Sequence, residues 1–298
     1  MDLMEKYGPI AGSKSISQYC PPRCFELEGK EFLFVVDTGE EAGIYRLRFT
    51  GRTEMEWSKG DGELKQETYE CRKSDDDTYL LTYNIAGKEP RENHTWVIDM
   101  ENELVTFLRC PIGENPLYPY LIETHFGFGY IKFEGREHKD LRRHGFTNDV
   151  TGTSVRWTYG QTLTTVHVYH DPHWYRIVFE GVNSGSSTEP VSAEQMREMN
   201  SMMPSSDEPA YYIRIKEGMY LVSLTEQNLE KIIGEPFGFR SDTLCFLDNW
   251  ERLTSVGRAF GTATKDGVDR PLFIMIGKYG APEKVDDSFF TDPIPYLI

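Results

Sequence analysis

Cysteine is scarce in this chain: five residues in 298, at no paired spacing. That excludes a disulfide-stapled scaffold and suits a reducing compartment, so a cytoplasmic protein is expected. Cys20 and Cys24 have three residues between them, which matches neither a redox C-x-x-C nor a zinc pair. Long apolar runs are absent too, and nothing approaches a membrane span. The segment from Met1 to Gly12 carries acids and no apolar centre, so no signal peptide is expected. Neither G-x-x-x-x-G-K-S/T nor G-x-G-x-x-G occurs, which removes P-loop chemistry and a Rossmann cofactor. No G-x-S-x-G nucleophile elbow is present. Positive charge is also in deficit: 32 Lys and Arg against 48 Asp and Glu leave a net charge of −16. Nucleic-acid backbones and anionic membranes would be repelled, and the acid serves solubility.

What the chain does have is aromatic content, at 13% of residues, and a period of two. In Tyr45-Arg46-Leu47-Arg48-Phe49 apolar residues alternate with arginines, the pattern of a half-buried strand. Similar runs recur to about residue 277, separated by turn signals such as Lys59-Gly-Asp-Gly62 and Glu217-Gly218. Many short strands with such turns predict an all-β, antiparallel protein. A unit of about 100 residues and eight strands suits a small up-and-down barrel, whose bore holds one small ligand.

The pattern occurs twice. Gly29–Phe34 is answered by Gly152–Trp157, Tyr45–Gly51 by Tyr175–Gly181, Thr78–Thr82 by Met219–Ser223, and Ile98-Asp99 by Leu247-Asp248. The offset grows steadily, from 123 residues at Gly29 to 149 at Asp99. Two tandem barrels are expected, one within 1–140 and one within 141–298, joined through the polar Glu134–Arg143 stretch. The second has a long loop, 182–209, in which Ser192 caps a short helix bearing Met196 and Met199. Such a helix either seals the core or forms a lid over a ligand. The tail beyond Ala281 should be extended, and a homodimer through it or through a strand edge is the default.

Residues that differ between the copies are the place to look for function. His167 and Tyr169 lie on a segment read as an extra or lengthened strand of the second copy, with either of its faces available to the bore. Glu226 replaces Ile85, at the end of a strand whose apolar face carries Tyr220. A carboxyl facing an apolar bore titrates high and serves as an acid or base, unless it has reached water at the mouth. Trp157 and Tyr159 would wall the pocket, and His125 is a further candidate contact. His167, His170 and His173 have the wrong spacing for metal on a strand, where residues three apart face opposite ways, so no metal is expected.

The residues Phe146-Thr147, Asp149, Gly152, Trp157, Tyr159, His167-Val168-Tyr169, Tyr175, Tyr220–Glu226, Asp248 and Gly257-Arg-Ala-Phe-Gly261 resemble the MoaF-like family, named for molybdenum cofactor biosynthesis protein F. Gly51, Trp57, Tyr69 and Asp99 resemble its N-terminal domain. The resemblance implies two calycin or lipocalin-like barrels, a fold group that includes carriers and cofactor-free enzymes, and it matches around His167, Tyr169 and Glu226. No pterin chemistry is carried over. The expectation is a cofactor-free enzyme acting on a small apolar or aromatic metabolite by isomerisation, cyclisation, dehydration or decarboxylation. His167 would be the base or acid, Tyr169 the oxyanion donor, and Glu226 the orienting or second acid/base group. The alternative is a carrier or sensor of a small hydrophobic ligand.

Overall fold

The structure, a computed structural model, describes residues 17–136, 142–160, 163–182, 205–228, 239–265, 267–285, 287 and 290. The helical lid with Met196 and Met199 and the C-terminal Asp292–Ile298 fall outside these residues.

The chain is all-β, with two closed antiparallel barrels in tandem. The first is formed by β1 (Glu31–Gly39), β2 (Gly43–Phe49), β3 (Glu54–Lys59), β4 (Lys65–Lys73), β5 (Thr78–Asn84), β6 (Glu92–Asp99), β7 (Leu104–Pro111) and β8 (His125–Lys132). Consecutive strands are neighbours, and β1 closes on β8 with Phe34 opposite Ile131. The second begins with the two-residue β9 (Gly145–Phe146), which lies beside β13. It continues through β10 (Thr153–Thr158), β11 (Leu163–Asp171), β12 (Trp174–Val182), β13 (Ser206–Lys216), β14 (Met219–Thr225), β15 (Phe239–Asn249), β16 (Thr254–Lys265) and β17 (Val268–Pro282). Here β10 pairs with β17, and β12 with β13, so strands β10 to β17 also close. Closure leaves neither barrel a free sheet edge.

By contact, the chain divides into Pro21–Gly145 with Arg214–Met219, and Met1–Cys20 with Phe146–Ile213 and Tyr220–Ile298. Alternation turns aromatic side chains into both bores. In the first, Phe34, Tyr45, Leu47, Trp96 and Phe107 are wholly buried, with Trp96 stacked on Phe107 at 4.1 Å between ring centroids. In the second, Trp157, Tyr169, Tyr175, Tyr212 and Phe246 belong to one buried cluster.

The strand register corrects three expectations. The loop expected over 182–209 ends earlier, because Ser206–Pro209 already pairs with β12. The His-Val-Tyr segment is not an insertion. It is β11, the second strand of its barrel and the counterpart of β2: His167 faces Val155 on β10 as Leu47 faces Phe32 on β1. Tyr175 therefore opens a third strand, β12, and is not the mate of Tyr45 on β2.

The third correction is a slip of one residue. Asp99 accepts the backbone N–H of Asn102, and Asn249 accepts that of Arg252 in the same way. Glu103 and Leu253 then take the same left-handed φ, 56° and 49°. Asp99 thus corresponds to Asn249, and Asp248 corresponds to Ile98. On a strand a slip of one residue exchanges the two faces. Asp248 consequently points into the bore rather than capping a turn.

Candidate functional site

The corrected register isolates one row of residues. Ile98 on β6, Val105 on β7 and Gly129 on β8 are successive partners across the first barrel. The matching row in the second is Asp248 on β15, Ser255 on β16 and Lys278 on β17. Three positions, apolar or bare in one barrel, are polar in the other. The row next to it also changes: the Trp96–Phe107 pair is matched by Phe246 opposite Gly257. Gly257 is required there, because a Cβ would lie 2.2 Å from the Cys245 carbonyl oxygen and 2.5 Å from Phe246 Cδ1.

Lys278 and Asp248 are buried, and Nζ lies 3.4 Å from Oδ1. The ammonium sits 3.7 Å from the Phe246 ring centroid, 4.3 Å from that of Trp157 and 5.8 Å from that of Tyr159. Burial pulls Lys278 down to about 8, against the charge of Asp248. Burial likewise raises Asp248, against the pull of Lys278. Neither Lys278 Nζ nor Asp248 Oδ1 has a hydrogen-bond partner among the described residues. The other oxygen, Oδ2, accepts the Tyr169 hydroxyl at 3.4 Å, and Tyr169 in turn accepts the Trp157 indole N–H at 3.3 Å.

His167 is wholly buried on the bore-facing side of β11, with its ring 5.1 Å from Tyr175 and 6.4 Å from Phe246 between centroids. Its Nε2 lies 3.1 Å from the Tyr159 hydroxyl, whereas Nδ1 has no partner among the described residues. Burial, reinforced by the nearby Lys278 charge, holds the imidazole well below its ordinary range, so it is neutral at pH 7. The face left open by the sequence is thereby decided. His167 and Tyr169 point inward, while His170 reaches Asp207 on β13.

Glu226 follows β14 and keeps partial solvent exposure. It accepts the Tyr175 hydroxyl at 3.4 Å. Desolvation and the neighbouring Asp242 and Glu208 push its carboxyl well above the usual range. The group at the imidazole is Tyr159, so the expected orienting role belongs to a phenol, and Glu226 acts beside Tyr175. Tyr220 is partly buried and packs on Trp250, which reaches Tyr169.

His125 lies apart from these residues, on β8 of the first barrel, between Glu40 at 2.7 Å and Glu114 at 2.9 Å. Glu114, Glu123 and His125 are the described residues whose potential metal-ligand atoms gather within 4.8 Å of one another, on partly exposed surface. Also in the first barrel, Glu92, His94, Arg109 and Glu41 form a chain of ion pairs in which each side chain has its partner. All five cysteines are free thiols. Among the described residues no helix is long and apolar enough to cross a membrane.

Comparison with known families adds one result. Residues 11–113 match the family model of the MoaF N-terminal domain. Over these residues the chain is MoaF-like. The match covers the first barrel through β7 and stops before the second. No curated protein matches the chain. The polar row of the second barrel therefore lies wholly outside the matched segment.

Asp248, Ser255, Lys278 and Gly257 were missed as site residues in the sequence. The signal was present in the paired turns Asp99–Leu104 and Asn249–Thr254. The two aspartates one residue out of step concealed it.

Proposed function

We propose that the second barrel is a chamber for a small, largely apolar or aromatic metabolite, and that it transforms the ligand by proton transfer without a cofactor. Isomerisation, cyclisation, dehydration and decarboxylation all fall within its reach. The observation that carries this reading is the buried His167, with one nitrogen on Tyr159 and the other without a partner, at the position of a plain leucine in the sister barrel. An unpaired buried polar atom costs about 1–3 kcal/mol. A fold that needed only packing would keep the leucine.

The neutral imidazole is the base, since burial keeps its proton off. Tyr169, which donates its one hydroxyl proton to Asp248, turns that proton to a developing oxyanion when ligand is bound. Glu226, its carboxyl held well above the usual range by desolvation and by Asp242 and Glu208, is the acid of the pair. Trp157, Tyr159, Tyr175 and Phe246 provide apolar walls around these few polar groups, the usual make-up of a small-molecule site.

The deciding experiment begins with native mass spectrometry of the full chain, to identify a co-purifying molecule. His167→Ala is then compared with wild type on that molecule. The enzyme reading expects retained affinity and lost conversion. Retained affinity with no conversion by wild type leaves a carrier or sensor, and absence of any ligand removes the chamber.

A further inference from the structure

We infer that Lys278 anchors the ligand of the second barrel, and that the ligands selected are small aromatic or apolar aldehydes and ketones held through a reversible imine at Nζ. This rests on the reading of that barrel as a small-molecule chamber and names the chemical class it takes.

The first argument is the comparison within the molecule. The same eight-stranded closure forms in the first barrel with Gly129 and Ile98 where the second has Lys278 and Asp248. The architecture therefore does not require the charges. The second argument is geometry. An ion pair built for stability closes to about 2.7–2.9 Å with its donors satisfied. This one stands at 3.4 Å, with Nζ lacking any hydrogen bond. The amine is instead bordered by the faces of Phe246 and Trp157, with Tyr159 beyond. Those flat apolar surfaces suit a conjugated or aromatic carbonyl compound better than a polar one.

The third argument is reactivity. A lysine desolvated in an apolar pocket is the ordinary form of an amine nucleophile. With its ammonium brought to about 8, Lys278 has a free-base fraction at pH 7 roughly a hundredfold above that of a solvated lysine. The charged and titratable groups around it are Asp248 on β15, His167 and Tyr169 on β11, and Tyr159 after β10. Of these, Asp248 carries the oxygen without a partner and is the proton shuttle.

The step is balanced. The Nζ lone pair forms a bond to the carbonyl carbon, and the carbonyl π pair moves to oxygen. One nitrogen proton passes through Asp248 to that oxygen, giving a carbinolamine. The C–O bond then breaks as nitrogen forms C=N, and the hydroxyl takes the remaining nitrogen proton by way of Asp248 and leaves as water. Amine and carbonyl give imine and water, with no oxidant or reductant consumed.

The test incubates the full chain with benzaldehyde, cinnamaldehyde or octanal and sodium cyanoborohydride, which reduces the imine to a stable amine, and maps the adduct by peptide mass spectrometry. Parallel samples measure binding of the matching alcohols by native mass spectrometry. The expected result is labelling of Lys278 in preference to surface lysines, rising with pH through about 8 and absent in a folded Lys278→Arg variant. If the alcohols bind and Lys278 is labelled no faster than surface lysines, the imine is overturned while the chamber stands. If no alcohol binds and no Lys278 adduct forms, the chamber fails and the imine with it. Lys278→Met serves the same comparison should the arginine variant not fold.

Discussion

Lys278 Nζ and Asp248 Oδ1 stand 3.4 Å apart in a bore where the sister barrel places Gly129 and Ile98. Removing one member of such a pair strands a buried charge, which costs about 3–5 kcal/mol. Asp248→Asn should therefore destabilise the protein by that order in urea unfolding. The double change Asp248→Leu with Lys278→Met should recover most of it. A double variant as unstable as Asp248→Asn alone would show that the fold depends on the charges.

His167→Leu installs the residue that the first barrel carries at the same register position. It also removes the unpaired Nδ1, though it leaves the Tyr159 hydroxyl without the imidazole. Stability should stay within about 1.5 kcal/mol of wild type, as for a volume-conserving exchange, and conversion of the ligand should be lost. Circular dichroism and thermal melts check the first outcome and product analysis the second. Wild-type turnover in this variant would remove His167 from the chemistry.

Glu226 has a folded-state pKa raised first by desolvation and then by Asp242 and Glu208. When the unfolded carboxyl ionises, at about 4.3, the folded one remains protonated. Unfolding then releases a proton, and stability falls as pH rises toward the folded value. Glu226→Gln should flatten that dependence as pH rises above the unfolded value of about 4.3, read as urea midpoints across pH. Parallel curves for variant and wild type would contradict the assignment.

Glu92 in the first barrel behaves oppositely. Burial works against its ionisation, yet His94 and Lys88 hold the carboxyl down to about 2. Its contribution is present above the unfolded value and disappears as pH falls toward about 2. Glu92→Gln should destabilise the protein near pH 7 and narrow the gap to wild type in acid. A gap of constant size from pH 7 to pH 3 would rule out this linkage.

Gly257→Ala would drive a Cβ to 2.2 Å from the Cys245 carbonyl oxygen, which is backbone and cannot rotate away. A loss of about 1–3 kcal/mol is expected, the usual cost of overpacking. An unchanged melting temperature would mean that β15 and β16 separate more easily than their unbroken pairing near Gly257 implies.

The sequence by itself determined the class of fold. Alternation, turn residues and an internal repeat gave two antiparallel barrels, because inward and outward positions must alternate on any strand with one buried face. His167, Tyr169 and Glu226 could be named because they fall where the two copies differ. Register was not legible. Two aspartates at nearly equal places suggested an equivalence that the turn geometry moves by one residue, and that single step turns Asp248 from turn cap to bore. Only strand pairing could bring Asp248, Ser255 and Lys278 from three strands into one row, and only closure of β10 on β17 sets Trp157 against it, since these meetings are fixed by interstrand hydrogen bonds and not by distance along the chain.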